Sequence, residues 1–222
     1  MLNSPSNPSG AVYSAEELKA LAAVLAKHPH VWFMSDDIYE KILYTGEPFP
    51  TMAKVVPEMA ARCLTINGVS KAFAMTGWRC GYGAGPAELI RGINLVQGQS
   101  VSHTSSVTQA AAVAALDGPM DFLPPFVAAY RRRRDLVVAA MRGIEGVECM
   151  VPDGAFYVFP NVEAVGMPAE ALQSRLLDEA GVACLPGTAF GAFGVGHLRL
   201  SYANSVPNIE RALAAMGACL AL

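Results

Sequence analysis

The sequence predicts an α/β fold followed by a smaller α+β unit, and three observations carry that prediction. A helix-patterned stretch is followed by short apolar runs, Val31-Trp32-Phe33-Met34, Cys63-Leu64-Thr65-Ile66 and Cys80 to Ala84, which read as strands. The first two runs lead directly into polar clusters, Ser35-Asp36-Asp37-Ile38-Tyr39 and the segment around Lys71. Ligands of open α/β sheets bind beyond the carboxyl ends of the strands, so both clusters belong at one sheet edge. After Gly143 the pattern changes to short strands separated by turns, with fewer helices.

Taken in order, Pro5, Pro8 and Gly10 make residues 3–10 a loop. Ser14 reads as a helix N-cap, and Glu17 completes a capping box. Leu18, Leu21, Ala22 and Leu25 then recur at helical spacing, which predicts a helix over 15–27. Val31 to Met34 is a buried strand, with Trp32 and Phe33 in the core. Pro86 opens a helix to about Gln97. Residues 106–116 are alanine-rich and apolar nearly all round, which predicts a buried helix that Gly118-Pro119 ends. A long helix over about 120–142 carries Arg131 to Arg134, read as a solvated or ion-paired face. Glu148 to Val151 and Phe156 to Phe159, joined by Pro152-Asp153-Gly154, predict a hairpin. Pro168 to Ala180 is a helix closed by Gly181. Val182 to Leu185 and His197 to Tyr202 are strands, and Pro207 opens the last helix. The expected domains are 1–119 and 120–222, joined through the long helix.

Composition narrows the function. The 222 residues suit one large domain or two small ones, and 53% hydrophobic with 16% charged residues allows a sizeable core. A net charge of -3 argues against nucleic-acid binding, which needs a concentrated positive surface. The cysteines, Cys63, Cys80, Cys149, Cys184 and Cys219, are odd in number and contain no CxxC pair. They read as reduced thiols of a cytoplasmic protein. His28, His30, His103 and His197 lack metal-ligand spacing, so no metal is expected. No apolar run approaches the ~20 residues that span a bilayer. The first residues lack a basic and apolar leader, so no membrane partner is expected.

The chemistry concentrates in Gly68-Val69-Ser70-Lys71-Ala72-Phe73-Ala74-Met75-Thr76-Gly77-Trp78-Arg79-Cys80-Gly81. A lysine among small residues, with an arginine eight positions later, suits a phosphorylated aldehyde. The amine forms a Schiff base and the guanidinium clamps the phosphate. That chemistry points to pyridoxal 5'-phosphate. Three further clusters accompany it in order: Asn3-Ser4-Pro5-Ser6-Asn7-Pro8-Ser9-Gly10, Ser35-Asp36-Asp37-Ile38-Tyr39-Glu40, and Leu198-Arg199-Leu200-Ser201-Tyr202-Ala203. Together the four resemble the class I/II, fold type I, aminotransferases across the whole chain. Gly154-Ala155-Phe156-Tyr157-Val158 and Pro186-Gly187-Thr188-Ala189-Phe190-Gly191 are most similar to the bacterial aspartate or aromatic members.

The resemblance implies the C-terminal part of a pyridoxal-phosphate-binding large domain, a mainly parallel sheet with flanking helices, followed by a small α+β domain. It implies Lys71 as the catalytic Schiff-base lysine and Asp36 as partner of the pyridine nitrogen. Either Asp36 or Asp37 could cap the strand end, and the spacing to Tyr39 favours Asp36 for the cofactor. Tyr39 and Asn7 would bond the phenolic oxygen, Arg79 the phosphate, and Arg199, with Asn7, the substrate carboxylate. Gly68 removes a hydroxyl that some members place three residues before the lysine, leaving Ser70 to compensate. Cys80 stands where an aliphatic residue is usual. Implied partners are an L-amino acid, a 2-oxo acid and a second copy in a homodimer. The family's N-terminal half has no counterpart here, so a truncated form that binds the cofactor weakly or not at all, with little activity by itself, is expected. Alternatives are a carbon–sulfur β-lyase on the same scaffold and an aminotransferase-like effector-binding domain of a transcription regulator.

Overall fold

The computed structural model describes residues 1–220, so Ala221 and Leu222, at the end of the expected second domain, lie outside the described residues. The chain divides into two compact units, Met1–Pro5 with Val12–Leu123 and Ser6–Ala11 with Pro124–Leu222.

In the first unit, β1 (Leu2–Asn3), β2 (Phe33–Asp36), β3 (Cys63–Gly68) and β4 (Gly81–Ala84) form one sheet in that order. The first three run parallel and β4 is antiparallel to β3. β1 overlaps the stretch read as a loop. Two residues carry no periodicity, and pairing of Leu2 with Ser35 and Asn3 with Asp36 makes them a strand. Between β1 and β2, α1 (Ala15–Ala26) starts with the expected capping box. Glu17 N–H donates to Ser14 Oγ at 3.2 Å, and Ser14 N–H donates to Glu17 Oε2 at 2.8 Å. Its apolar stripe buries Leu18 and Ala22 in a cluster with Phe33, Met52, Met59 and Cys63. At its far end Arg62 donates to the carbonyls of Leu25, His28 and Val31, at 2.6, 2.8 and 2.9 Å. A cation on the Leu25 carbonyl, in the last turn, suits the helix C-terminus.

Short helices α2 (Met52–Val55) and α3 (Val69–Ala72) flank β3, and α4 (Ala87–Ser100) and α5 (Ser106–Asp117) follow β4. Two core expectations fail here. β2 begins at Phe33, so Trp32 precedes the strand and is 53% exposed. It walls a hollow of about 590 Å³ with Leu89, Ile93 and Val96. α5 buries only Thr108 and Ala112, and leaves Val107, Val113 and Leu116 exposed. Its all-round apolar pattern states what the helix can bury, and among the described residues only the side with Thr108 and Ala112 is covered.

The second unit holds α6 (Leu123–Arg142) from its second residue on, β5 (Tyr157–Val158), α7 (Ala169–Ala180), β6 (Leu185–Pro186), β7 (Leu198–Ser201) and α8 (Val206–Leu220). Its sheet runs β5-β7-β6, antiparallel throughout. Val137, Val138 and Met141 of α6, Leu172 and Leu176 of α7, and Ile209 and Met216 of α8 are buried. Gly181 ends α7 in the left-handed region at φ 65°, as its position suggests. The hairpin expected at 148–159 does not form. Glu148 bridges Asn161 instead, and β5 pairs with β7. The Pro152-Asp153-Gly154 turn serves another purpose: the N–H groups of Asp153 and Gly154 both donate to the Gly10 carbonyl at 3.0 Å. Gly10 is needed there, since at φ 72° a Cβ would meet Pro152 and the Gly154 carbonyl. Arg134 of the arginine run pairs with Asp135 at 2.7 Å and donates to the Pro152 carbonyl at 3.1 Å. Arg133 lies over the Tyr130 ring. No helix among the described residues is long and apolar enough to cross a membrane.

Candidate active site

The first unit gathers five of the expected residues. β2 alternates, so Phe33, Ser35 and Asp37 turn inward while Asp36 and Ile38 face the other way. This alternation separates the two aspartates. Asp36 lines a cavity of about 330 Å³ with Ile38, Ile66, Asn67, Ser70, Arg79, Cys80 and Gly81. Burial raises its carboxyl above the ordinary range, opposed by the Ile38 N–H at 3.3 Å and by the charge of Lys71. Lys71, half-buried on α3, places Nζ 5.7 Å from the centre of the buried Tyr39 ring. Ser70 precedes it on the same short helix.

Gly68 joins β3 to α3 and is set by crowding. A Cβ there would meet the Cys80 carbonyl at 2.8 Å, Ile38 Cδ1 at 3.1 Å and Gly81 Cα at 3.2 Å. The hydroxyl missing at this position has no room, and Ser70 is the hydroxyl that lines the cavity instead. Arg79 closes a short helical turn over Thr76–Trp78 in the left-handed region, at φ 51°. Such a conformation is uncommon for a residue with a side chain and tends to occur where a group must be aimed. Its exposed guanidinium donates to the Thr76 carbonyl at 3.3 Å.

Asp37 is only 2% exposed. Ser35 Oγ donates to its Oδ1 at 2.6 Å, yet burial still pushes its carboxyl up to about 6. It is a structural group beneath the strand end, on the face opposite Asp36.

The second unit holds the remaining two residues. Arg199 on β7 donates from Nη1 to Asn7 Oδ1 at 3.1 Å. Its guanidinium carbon lies 4.7 Å from the Tyr157 ring centre and 5.1 Å from that of Phe190. Arg199 Nε is buried with no hydrogen-bond partner among the described residues. A buried guanidinium N–H without an acceptor is costly, and an anionic oxygen would satisfy it.

A family model described as "Aminotransferase class I and II" matches residues 1–216. The chain belongs to the class I and II aminotransferases. It is 48% identical to an aspartate aminotransferase of Rhizobium meliloti (strain 1021) over 223 residues, covering 96% of this chain and 54% of that protein. An aspartate/prephenate aminotransferase of Cereibacter sphaeroides is 46% identical over 224 residues, covering 96% and 56%. The crystal structure of the Rhizobium meliloti aspartate aminotransferase matches at a TM-score of 0.94 and 46% identity, over 99% of this chain and 57% of that one. The chain spans about half the length of the curated relatives it matches. Aminotransferases of this family use pyridoxal 5'-phosphate.

Within this member of the family, sequence reasoning gave no role to Asn67, Tyr157 or Phe190. Asn67 donates to Glu40 Oε1 at 2.9 Å and accepts from the Gly68 N–H at 2.7 Å, which shapes the cavity wall. Its position one residue before Gly68 was the available signal. Tyr157 and Phe190 lie inside the two phrases that pointed to the bacterial members, but only the fold shows that their rings meet Arg199.

Proposed function

We propose that the chain carries out amino transfer between an L-amino acid and a 2-oxo acid with pyridoxal 5'-phosphate as cofactor. The observation that supports this best is the cavity of the first unit, where a half-buried carboxylate, a hydroxyl and a guanidinium line one wall set. Asp36, raised by burial, gains from a cationic partner such as a protonated ring nitrogen. Ser70 and Arg79 offer a donor and a charge for a phosphate. Ile38 and Ile66 give apolar wall for a ring. The donor set fits the cofactor.

Bound there, the cofactor supplies an electron sink for the carbon that carries the amine. Asp36 would hold the ring-nitrogen proton that makes the sink strong. The Lys71 amine would carry the aldehyde linkage and, once released, take and return the proton at the substrate Cα. Tyr39, beside Lys71, would donate to the phenolic oxygen. In the second unit Arg199 would bind the substrate carboxylate through its unpartnered Nε–H, with its other arm set by Asn7. Asn7 is also proposed as a donor to the cofactor's phenolic oxygen. Aspartate is the amino donor this reading favours, following the names of the relatives, with an aromatic amino acid second, from the resemblance of the 154–158 and 186–191 segments. A homodimer is the proposed working form.

The test is covalent trapping. The protein is saturated with pyridoxal 5'-phosphate, reduced with borohydride and mapped by mass spectrometry. The expected result is a pyridoxyl group on Lys71, lost in Lys71→Ala and weakened in Asp36→Ala. Saturating cofactor with no label at Lys71, or label spread over surface lysines, would overturn the reading.

A further inference from the structure

We propose that Tyr157 and Phe190 form an aromatic clamp that positions the Arg199 guanidinium for a carboxylate. This rests on the carboxylate-binding reading of Arg199 given above and adds to it the residues that set its orientation. Three contacts surround one planar group, two ring faces and one hydrogen bond: Tyr157 at 4.7 Å, Phe190 at 5.1 Å and Asn7 Oδ1 at 3.1 Å on Nη1. A guanidinium against ring faces is held by cation–π attraction while its in-plane N–H groups remain available. Asn7 takes one of them, and the buried Nε–H has no partner among the described residues.

The chain builds each half of the clamp deliberately. Tyr157 pairs with Ser201 across β5 and β7, and Arg199 is two residues before Ser201 on the same face. Tyr157 and Arg199 are therefore diagonal cross-strand neighbours, within reach of long side chains. Phe190 comes from the short helical turn after β6, Gly187–Phe190. Three features fix that turn. Gly187 N–H donates to the His197 carbonyl at 2.7 Å, Thr188 Oγ1 donates to Glu170 Oε1 at 2.5 Å, and the backbones of Gly187 and Gly194 touch. Phe159 then meets the Phe190 ring edge-on at 6.2 Å. Phe190 is thus held over Arg199 by its own loop, and Tyr157 by strand register.

The experiment reads the Arg199 Nε–H resonance by nitrogen-edited NMR of the 222-residue protein during titration with maleate, a dicarboxylate that cannot transfer an amine. The wild type is expected to shift with saturation. Tyr157→Leu and Phe190→Leu are each expected to weaken the midpoint about three- to tenfold. Tyr157→Phe and Phe190→Tyr, which keep a ring face, should stay near wild type. Phe190→Leu lies on a half-buried loop and tests the clamp even where the buried Tyr157→Leu costs the fold. A wild-type midpoint in Phe190→Leu, or an equal loss in Tyr157→Phe and Tyr157→Leu, overturns the clamp. An Arg199 resonance that ignores maleate in the wild type overturns the carboxylate reading itself.

Discussion

Asp36 and Asp37 are adjacent and chemically identical, yet the fold gives them opposite work. Asp36 faces the cavity near Lys71, and Asp37 is enclosed with Ser35 and Thr51. The direction of the Asp37 shift fixes a pH dependence. Its carboxyl keeps a proton to about 6 in the folded protein but releases it near 3.8 when unfolded. The folded state therefore binds more protons across that window, and stability falls as pH rises through it. Glu40 and Asp36 add repulsion against the charged form, while Ser35 and Thr51 favour it. Asp37→Asn removes the titration. We expect it to be more stable than wild type at pH 7 by about 1–3 kcal/mol, with the difference vanishing near pH 4. Urea unfolding of both proteins at the two pH values checks this, and a constant difference would refute the assignment. Lys71, Asp36 and Arg199 could be singled out as candidates from the sequence because each has a motif around it. Tyr157 and Phe190 were not, because their meaning arises from strand register and a loop conformation.

At the scale of elements, local signals that act within a few residues were read correctly. The Ser14–Glu17 box and the Gly181 stop both work through backbone groups next to them. The hairpin reading failed because the turn residues Pro152, Asp153 and Gly154 say that the chain bends, and not which strand it will meet. The loop between β6 and β7 makes the same point through glycine. A Cβ on Gly187 would strike the Gly194 carbonyl, and one on Gly194 would strike the Gly187 carbonyl. Both obstacles are backbone, so neither can yield by rotating a side chain. Gly194→Ala is expected to destabilise by about 2 kcal/mol or more and to displace Phe190 from Arg199. Gly217→Ala, in α8 with open space around it, should instead stabilise by about 0.5–1 kcal/mol. Chemical denaturation of the two variants side by side tests the contrast; similar losses in both would refute it.

At the scale of the whole molecule, the sequence pattern announces apolar faces but does not say whether the chain covers them. α4 shows this most plainly: Leu89, Ile93 and Val96 recur at i, i+4 and i+7, yet the helix has no buried residue. Leu95 and Val96 are 69% and 68% exposed, and Val107, Val113 and Leu116 of α5 are exposed as well. Soluble proteins rarely present a continuous apolar patch beyond a few hundred Å². The 222-residue protein is therefore expected to bind a hydrophobic dye such as ANS under native conditions and to associate as its concentration rises. Replacing Leu95 and Val96 together by lysine should lower both signals while changing unfolding free energy by no more than about 1 kcal/mol, because neither side chain is packed. Dye fluorescence and sedimentation velocity read the outcome. A double variant that binds dye and associates like the wild type would place the sticky surface elsewhere, and a wild type that is monomeric and dye-free would show that these faces are covered in solution.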